Sequence, residues 1–208
     1  MPEDKWSMLR SEREDLVSYL KTLDAVDWDK PSLAAGWRVR DVVAHVVAGA
    51  KNTPPAFVAA LVSSGFSFDK MSDKQLKREV TKSPEELIAS LASLSGAKTQ
   101  PGSAMLGEAI VHAEDVRRAL GSAPRTRPIE HLTTIADYYK KAGPPIRARK
   151  RVAGLKFTAS DAPWSTGEGP EVTGPILSLA MAFTGRRAVL DDLSGAGLAE
   201  FKERITAN

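Results

Sequence analysis

Two short stretches carry residues whose types and spacing could do chemistry. In GEAIVHAEDVRRALG, residues 107–121, Glu108 and His112 stand four apart. On a helix both side chains therefore project from one face, about one turn from each other. Met105, Ala109, Val116 and Ala119 share that face, so it is expected to point inward. A carboxylate there is costly unless it is paired or bound to a cation. In RDVVAHVVAGA, residues 40–50, His45 raises the same question among valines and alanines. Two imidazoles and a carboxylate from two facing helices match a divalent-metal site that keeps coordination positions open. Nitrogen and oxygen donors without thiolate suit zinc best, with nickel, iron or manganese as alternatives. Such a site polarises an oxygen, or acidifies a bound water or thiol. The plainer competing reading is a surface salt bridge and hydrogen-bonded core histidines.

Two aspartates could orient the imidazoles. Asp115 lies three residues after His112, and Asp41 four before His45. Each could hold the ring nitrogen that faces away from a metal. The alternatives are an ion pair of Asp115 with Arg117 or Arg118, and for Asp41 a first-turn carboxylate favoured by the helix dipole. The remaining histidine, His131, follows Pro128 closely and is expected at the surface.

Composition narrows the function classes. No cysteine occurs, which removes disulfides, thiolate metal sites and cysteine nucleophiles; any thiol chemistry must borrow its sulfur from another molecule. The formal charge is only +3, weak support for a nucleic-acid partner. The densest basic stretch, RARKR at 147–151, reads as a solvated loop or strand entry. The first residues lack the apolar core of a signal peptide. No apolar run approaches the ~20 residues of a membrane helix. A cytoplasmic protein is the expectation.

The elements that must position these residues are mostly helices. Trp6, Leu9, Leu16, Leu20 and Leu23 recur on one helical face. A second helix is predicted over about Val39–Ala50, with Val42, Val46 and Gly49 on the side of His45. Pro54 and Pro55 interrupt it, and AFVAALVSSG continues as a further helical piece. Residues 63–82 read as a polar connection. Ser83-Pro84-Glu85-Glu86 then gives an N-cap serine, a first-position proline and a glutamate three residues past the cap, followed by Leu87, Leu91 and Leu94. Gly96 and KTQPG close that helix before the stretch that carries Glu108 and His112. Four main helices with short or moderate joins predict an antiparallel bundle over 1–125. The remainder, 126–208, reads as a small α+β unit. It has a helix near Pro128–Lys141 and a strand in which Leu155, Phe157 and Ala159 alternate with Lys156, Thr158 and Ser160. Short strands follow near Trp164–Thr166 and Glu171–Thr173, then helices from Pro175 and over about Ala196–Ile205.

At this point the chain resembles a known family. GWRVRDVVAHV at 36–46 is similar to the Gly-Trp, then Asp-x3-His signature of the mycothiol-dependent maleylpyruvate isomerases, a branch of the DinB-like metal-binding four-helix bundles. GEAIVHAEDVRRALG resembles the second half of that signature, Glu-x3-His-x2-Asp. TASDAPWSTGEGPEVTGP and the later TGR resemble the family's small C-terminal domain. Arg38 departs from the pattern, standing where the family usually caps the helix with serine or threonine.

The resemblance implies a mainly α protein: a DinB-like antiparallel four-helix bundle followed by a small α+β C-terminal domain. It implies a zinc-type ion on His45, Glu108 and His112, and mycothiol or a similar low-molecular-weight thiol as cofactor. The substrate would be a small electrophile or unsaturated acid, and the reaction cis-trans isomerisation or thiol transfer. Family isomerases also depend on a C-terminal arginine, for which Arg186 and the adjacent Arg187 are the nearest candidates. A guanidinium fork suits a substrate carboxylate, although a helix-end arginine can equally serve main-chain carbonyls. The contrasting function class is a non-catalytic metal-binding or ligand-sensing protein that keeps the site.

Overall fold

The start signal at Ser83 operates as its chemistry requires. Ser83 Oγ accepts from the Glu86 amide at 3.2 Å, and the Glu86 carboxylate accepts from the Ser83 amide at 2.8 Å. Both orphan donors at that helix end are thereby satisfied. The computed structural model describes residues 4–98 and 102–206. It divides into two compact units, 1–125 and 126–208. The fold is mainly α, with a four-helix bundle followed by a small α+β unit, as expected.

In the first unit the helices are α1 (Lys5–Leu20), α2 (Val39–Lys51), α3 (Pro54–Ser63), α4 (Phe68–Glu79), α5 (Pro84–Ser93) and α6 (Gly102–Ala119). The bundle is made by α1, α2, α5 and α6; α1 and α2 each pack against both α5 and α6. Leu16 and Leu20 of α1, Val39, Val42, Val43, Val46 and Val47 of α2, Leu87 and Leu91 of α5, and Ala113 and Val116 of α6 form one buried cluster. Burial of these apolar stripes, at ~25 cal/mol per Å², is what holds the four helices together. Arg13 adds a polar lock. Its buried guanidinium donates to the carbonyls of Leu94 (3.1 Å), Ser95 (3.4 Å) and Ala97 (2.8 Å), which follow the last turn of α5. The sequence placed the end of that helix at Gly96 and KTQPG; residues 99–101 of this stretch lie outside the described residues.

Two expectations for this unit need correction. The helix α1 stops at Leu20, and a 3-10 turn over Ala25–Asp29 follows, burying Trp28. Residues 63–82 are also no simple polar connection, because they contain α4. Ser67 caps that helix by accepting from the Lys70 amide, and Met71 is buried. Asn52 and Gln75 exchange two amide hydrogen bonds, and Glu79 receives both Lys51 and Lys82. Few apolar residues mark α4, and polar contacts to the end of α2 supplement the packing of Met71 and Leu76, so it left little periodic trace.

The second unit contains α7 (Ile129–Tyr139), α8 (Ala148–Val152), β1 (Lys156–Ala159), β2 (Ser165–Thr166), β3 (Glu171–Gly174), α9 (Ile176–Phe183) and α10 (Leu198–Thr206). The sheet order is β2-β1-β3, with β1 antiparallel to β2 and parallel to β3. Phe157, Phe183 and Phe201 meet edge-on at its core, with Phe157 4.9 Å from Phe183 and 5.0 Å from Phe201. Gly167 turns the chain after β2 at φ +77°, where a Cβ would lie 2.1 Å from the Leu155 carbonyl oxygen.

The basic stretch RARKR is not a loop or strand entry. It forms the short α8, and Arg151 is buried, donating to the carbonyls of Ile146 and Phe183. His131 is not a surface residue either, being 1% exposed. It begins the buried stripe of α7, in which His131, Leu132, Ile135, Ala136 and Tyr139 recur at helical spacing. The apolar Ile129 takes the exposed position instead. Among the described residues, no helix is long and apolar enough to cross a membrane.

Candidate metal centre

The helical stretches that carry His45 and the Glu108–His112 pair meet inside the first unit. His45 rides on α2, one turn from the buried Val42 and beside the buried Val46. Glu108 and His112 ride on α6 between the buried Ala109, Ile110 and Val116. Packing of α2 against α6 directs all three side chains to one point. His45 Nε2–H donates to Glu108 Oε2 at 3.2 Å, and His112 Nε2–H donates to the same oxygen at 3.1 Å. One donor atom from each residue lies within 4.8 Å of the others.

Behind His112, the Asp115 carboxylate accepts from Nδ1 at 2.9 Å and is completely buried. The His112 ring therefore donates from both nitrogens to carboxylates, the pattern of an imidazolium. Burial alone would lower its pKa, but the bonds to Asp115 and Glu108 outweigh that, and it is pushed up to about 9. Burial likewise pulls the Glu108 carboxyl upward. The His112 and His45 bonds overcome this and hold it well below the usual carboxylate range. One concentrated negative charge thus sits between two imidazole edges at neutral pH.

The donor set fits a divalent cation. Zinc–nitrogen and zinc–oxygen bonds of ~2.0–2.2 Å place two ligands of one ion roughly 3–4 Å apart. The nitrogen-to-oxygen separations of 3.1 and 3.2 Å already lie in that range. The Asp115–His112 bond is the carboxylate–imidazole arrangement that fixes a ligating ring with Nε2 aimed inward. Glu108 keeps 32% of its side chain exposed and His45 22%, so the cluster opens to solvent on one side.

Asp41 does not join this cluster. Its Oδ2 accepts from the Arg38 amide at 2.9 Å and from the Arg38 guanidinium at 3.1 Å. The same contact explains the unusual Arg38, since the N3 carboxylate of α2 satisfies the main-chain donor at the cap without a serine or threonine there. Arg186 lies in the second unit, just past α9, and donates to Thr184 Oγ1 at 3.2 Å; Arg187 donates to the carbonyl of Thr206.

Sequence reasoning gave Trp37 no role of its own. Its ring centroid lies 5.0 Å from that of His45 and 6.2 Å from that of His112, nearly parallel to the latter at 16°. The only linear hint was its place in the Gly-Trp pair just before the helix of His45.

Comparisons with known proteins agree with this architecture. Two solved structures similar to the chain are those of the mycothiol-dependent maleylpyruvate isomerase and of a histidine-to-alanine mutant of it. Each aligns with a TM-score of 0.64 at 16% identity, covering 92% of this chain and 91% of the other. No curated protein matches. The family model described as the mycothiol maleylpyruvate isomerase N-terminal domain matches residues 9–150, well over half of the chain. The chain belongs to the mycothiol maleylpyruvate isomerase N-terminal domain family.

Proposed function

We propose that this protein is a metal-dependent enzyme that adds a borrowed low-molecular-weight thiol, mycothiol or a close analogue, to a small unsaturated or electrophilic substrate. Elimination of the thiol after rotation about the former double bond gives an isomerase, and retention of the adduct gives an S-transferase. The observation that carries this reading is the convergence of His45 Nε2 and His112 Nε2 on a single Glu108 oxygen.

His45, Glu108 and His112 would hold the ion, and zinc suits this donor set best. A divalent ion in that place supplies Lewis acidity that lowers the pKa of a coordinated thiol. Asp115 keeps the His112 proton on Nδ1, leaving the Nε2 lone pair for the ion once the second ring proton has gone. Glu108 contributes a full negative charge, because its two imidazole partners hold it ionised. The absence of cysteine in the chain agrees with a thiol brought from outside. To the substrate carboxylate we assign Arg186, on the strength of the family resemblance.

The test is metal analysis followed by turnover. Purified protein dialysed without chelator is expected to hold about one divalent ion per chain, lost in His112→Ala. The loaded protein is then assayed with mycothiol and either maleylpyruvate or a conjugating electrophile. An ion-bearing protein that neither binds nor consumes thiol would refute the enzyme and leave a metal-binding protein.

A further inference from the structure

Ligating histidines generally donate their second ring nitrogen to a partner that fixes the ring plane. His112 has one in Asp115; among the described residues, His45 makes its hydrogen bond through Nε2 alone. Asp41, placed at the right spacing in the sequence, is taken up by Arg38. Among the described residues, no hydrogen-bond partner faces His45 Nδ1. The His45 ring is instead held by ring contacts, Trp37 on one side at 5.0 Å and the edge of His112 at 5.0 Å.

We propose that Trp37 is a positioning residue of the metal centre, doing for His45 by packing what Asp115 does for His112 by hydrogen bonding. This rests on the metal reading above. The indole lies beside both imidazoles, 5.0 Å from the His45 centroid and nearly parallel to His112 at 6.2 Å, so one flat side chain flanks both donor rings.

The main chain is built to hold the indole there. Gly36 turns at φ +79°, a conformation that favours glycine. Trp37 N–H donates to the Ala34 carbonyl at 3.0 Å, and the Trp37 carbonyl accepts from both the amide (2.9 Å) and the hydroxyl (2.8 Å) of Ser32. Pro31 and Arg38 pair as an isolated antiparallel bridge, closing the loop at the start of α2. The loop is also tied to the ligand helix, because Leu33 N–H donates to the main-chain carbonyl of Asp115 at 3.1 Å. Asp115 thus anchors His112 with its side chain and the Trp37 loop with its backbone.

The experiment compares wild type, Trp37→Ala, Trp37→Leu and Trp37→Phe. Zinc affinity is read by competition with a chromophoric chelator, and ligand geometry by the visible spectrum of the cobalt(II)-loaded proteins. Trp37→Ala is expected to bind zinc ~10-fold more weakly, within the range seen when an orienting partner of a ligand is lost, with a changed cobalt spectrum. Trp37→Phe, which keeps a flat ring, is expected to restore most of the affinity and the wild-type spectrum. Wild-type affinity and spectrum in Trp37→Ala, or a phenylalanine variant no better than alanine, would overturn the proposal. If Trp37→Ala does not fold, Trp37→Leu against Trp37→Phe decides: equal zinc affinities overturn it, and a weaker leucine variant supports it. Failure of wild type to bind zinc or cobalt would sink the metal reading and this inference together. Metal on wild type with unchanged Trp37 variants would sink this inference alone.

Discussion

In metal-free protein, His112 is expected to titrate near 9, and to reveal itself in stability. Its ordinary value is 6.5, and the structure pushes it up to about 9. At 1.36 kcal/mol per pKa unit, the displacement corresponds to about 3 kcal/mol of preference for the charged ring in the folded state. A group whose folded pKa is raised contributes stability that is fully present below its unfolded pKa and is lost as pH rises through the folded value. The window is therefore about 6.5 to 9. The chain has only three histidines, so imidazole proton resonances in chelator-treated protein can be assigned with His45→Gln and His112→Gln variants. The His112 signal should move with a midpoint well above 6.5, and Asp115→Asn should bring that midpoint down. Urea unfolding at pH 6 and pH 9.5 should show wild type losing on the order of 3 kcal/mol more than His112→Gln across that interval. Metal uptake should show the opposite slope. Loading expels the extra proton from His112, so apparent affinity rises with pH until the ring is already neutral. A His112 midpoint at or below 6.5, or identical pH slopes for wild type and His112→Gln, would refute this account of the paired carboxylates.

Other expectations follow from the same contacts. Asp115→Asn is expected to weaken zinc binding ~10–100-fold while leaving all three ligands in place, measured by chelator competition. As pH falls, Glu108 protonates late because its carboxyl is held well below the ordinary value; the stability this contributes is present above the ordinary carboxylate range and is lost as pH falls through the folded value. Acid titration of Glu108→Gln should therefore lack that part of the wild-type stability loss. Arg13→Met, which removes the donor to three carbonyls beyond α5, is expected to cost about 1–3 kcal/mol in chemical denaturation. Arg186→Ala should raise KM for carboxylate substrates with metal content unchanged, and an unaltered KM would remove Arg186 from substrate binding.

What linear order determined here are the features governed by neighbours within a turn or two. Ser83, Pro84 and Glu86 specify the start of α5 because both partners of the capping box lie three residues apart. Glu108 and His112 share a face because helical geometry places residues four apart together. Alternation from Leu155 to Ser160 exposed the strand β1. Tertiary structure decided the questions on which local spacing is silent. Asp41 and Asp115 stand at similar offsets from a histidine, yet Asp41 turns to the adjacent Arg38 at an exposed helix start, while Asp115 is sealed against His112 in the bundle. His131 and Ile129 differ by two positions, and the buried side of α7 chose the histidine over the isoleucine. The helix α4 stayed hidden because its apolar residues are few, and ion pairs and amide bonds to the end of α2 supplement them. Trp37 acquires its place only when the loop before α2 folds back onto α6, a contact between residues far apart in sequence that no local spacing encodes.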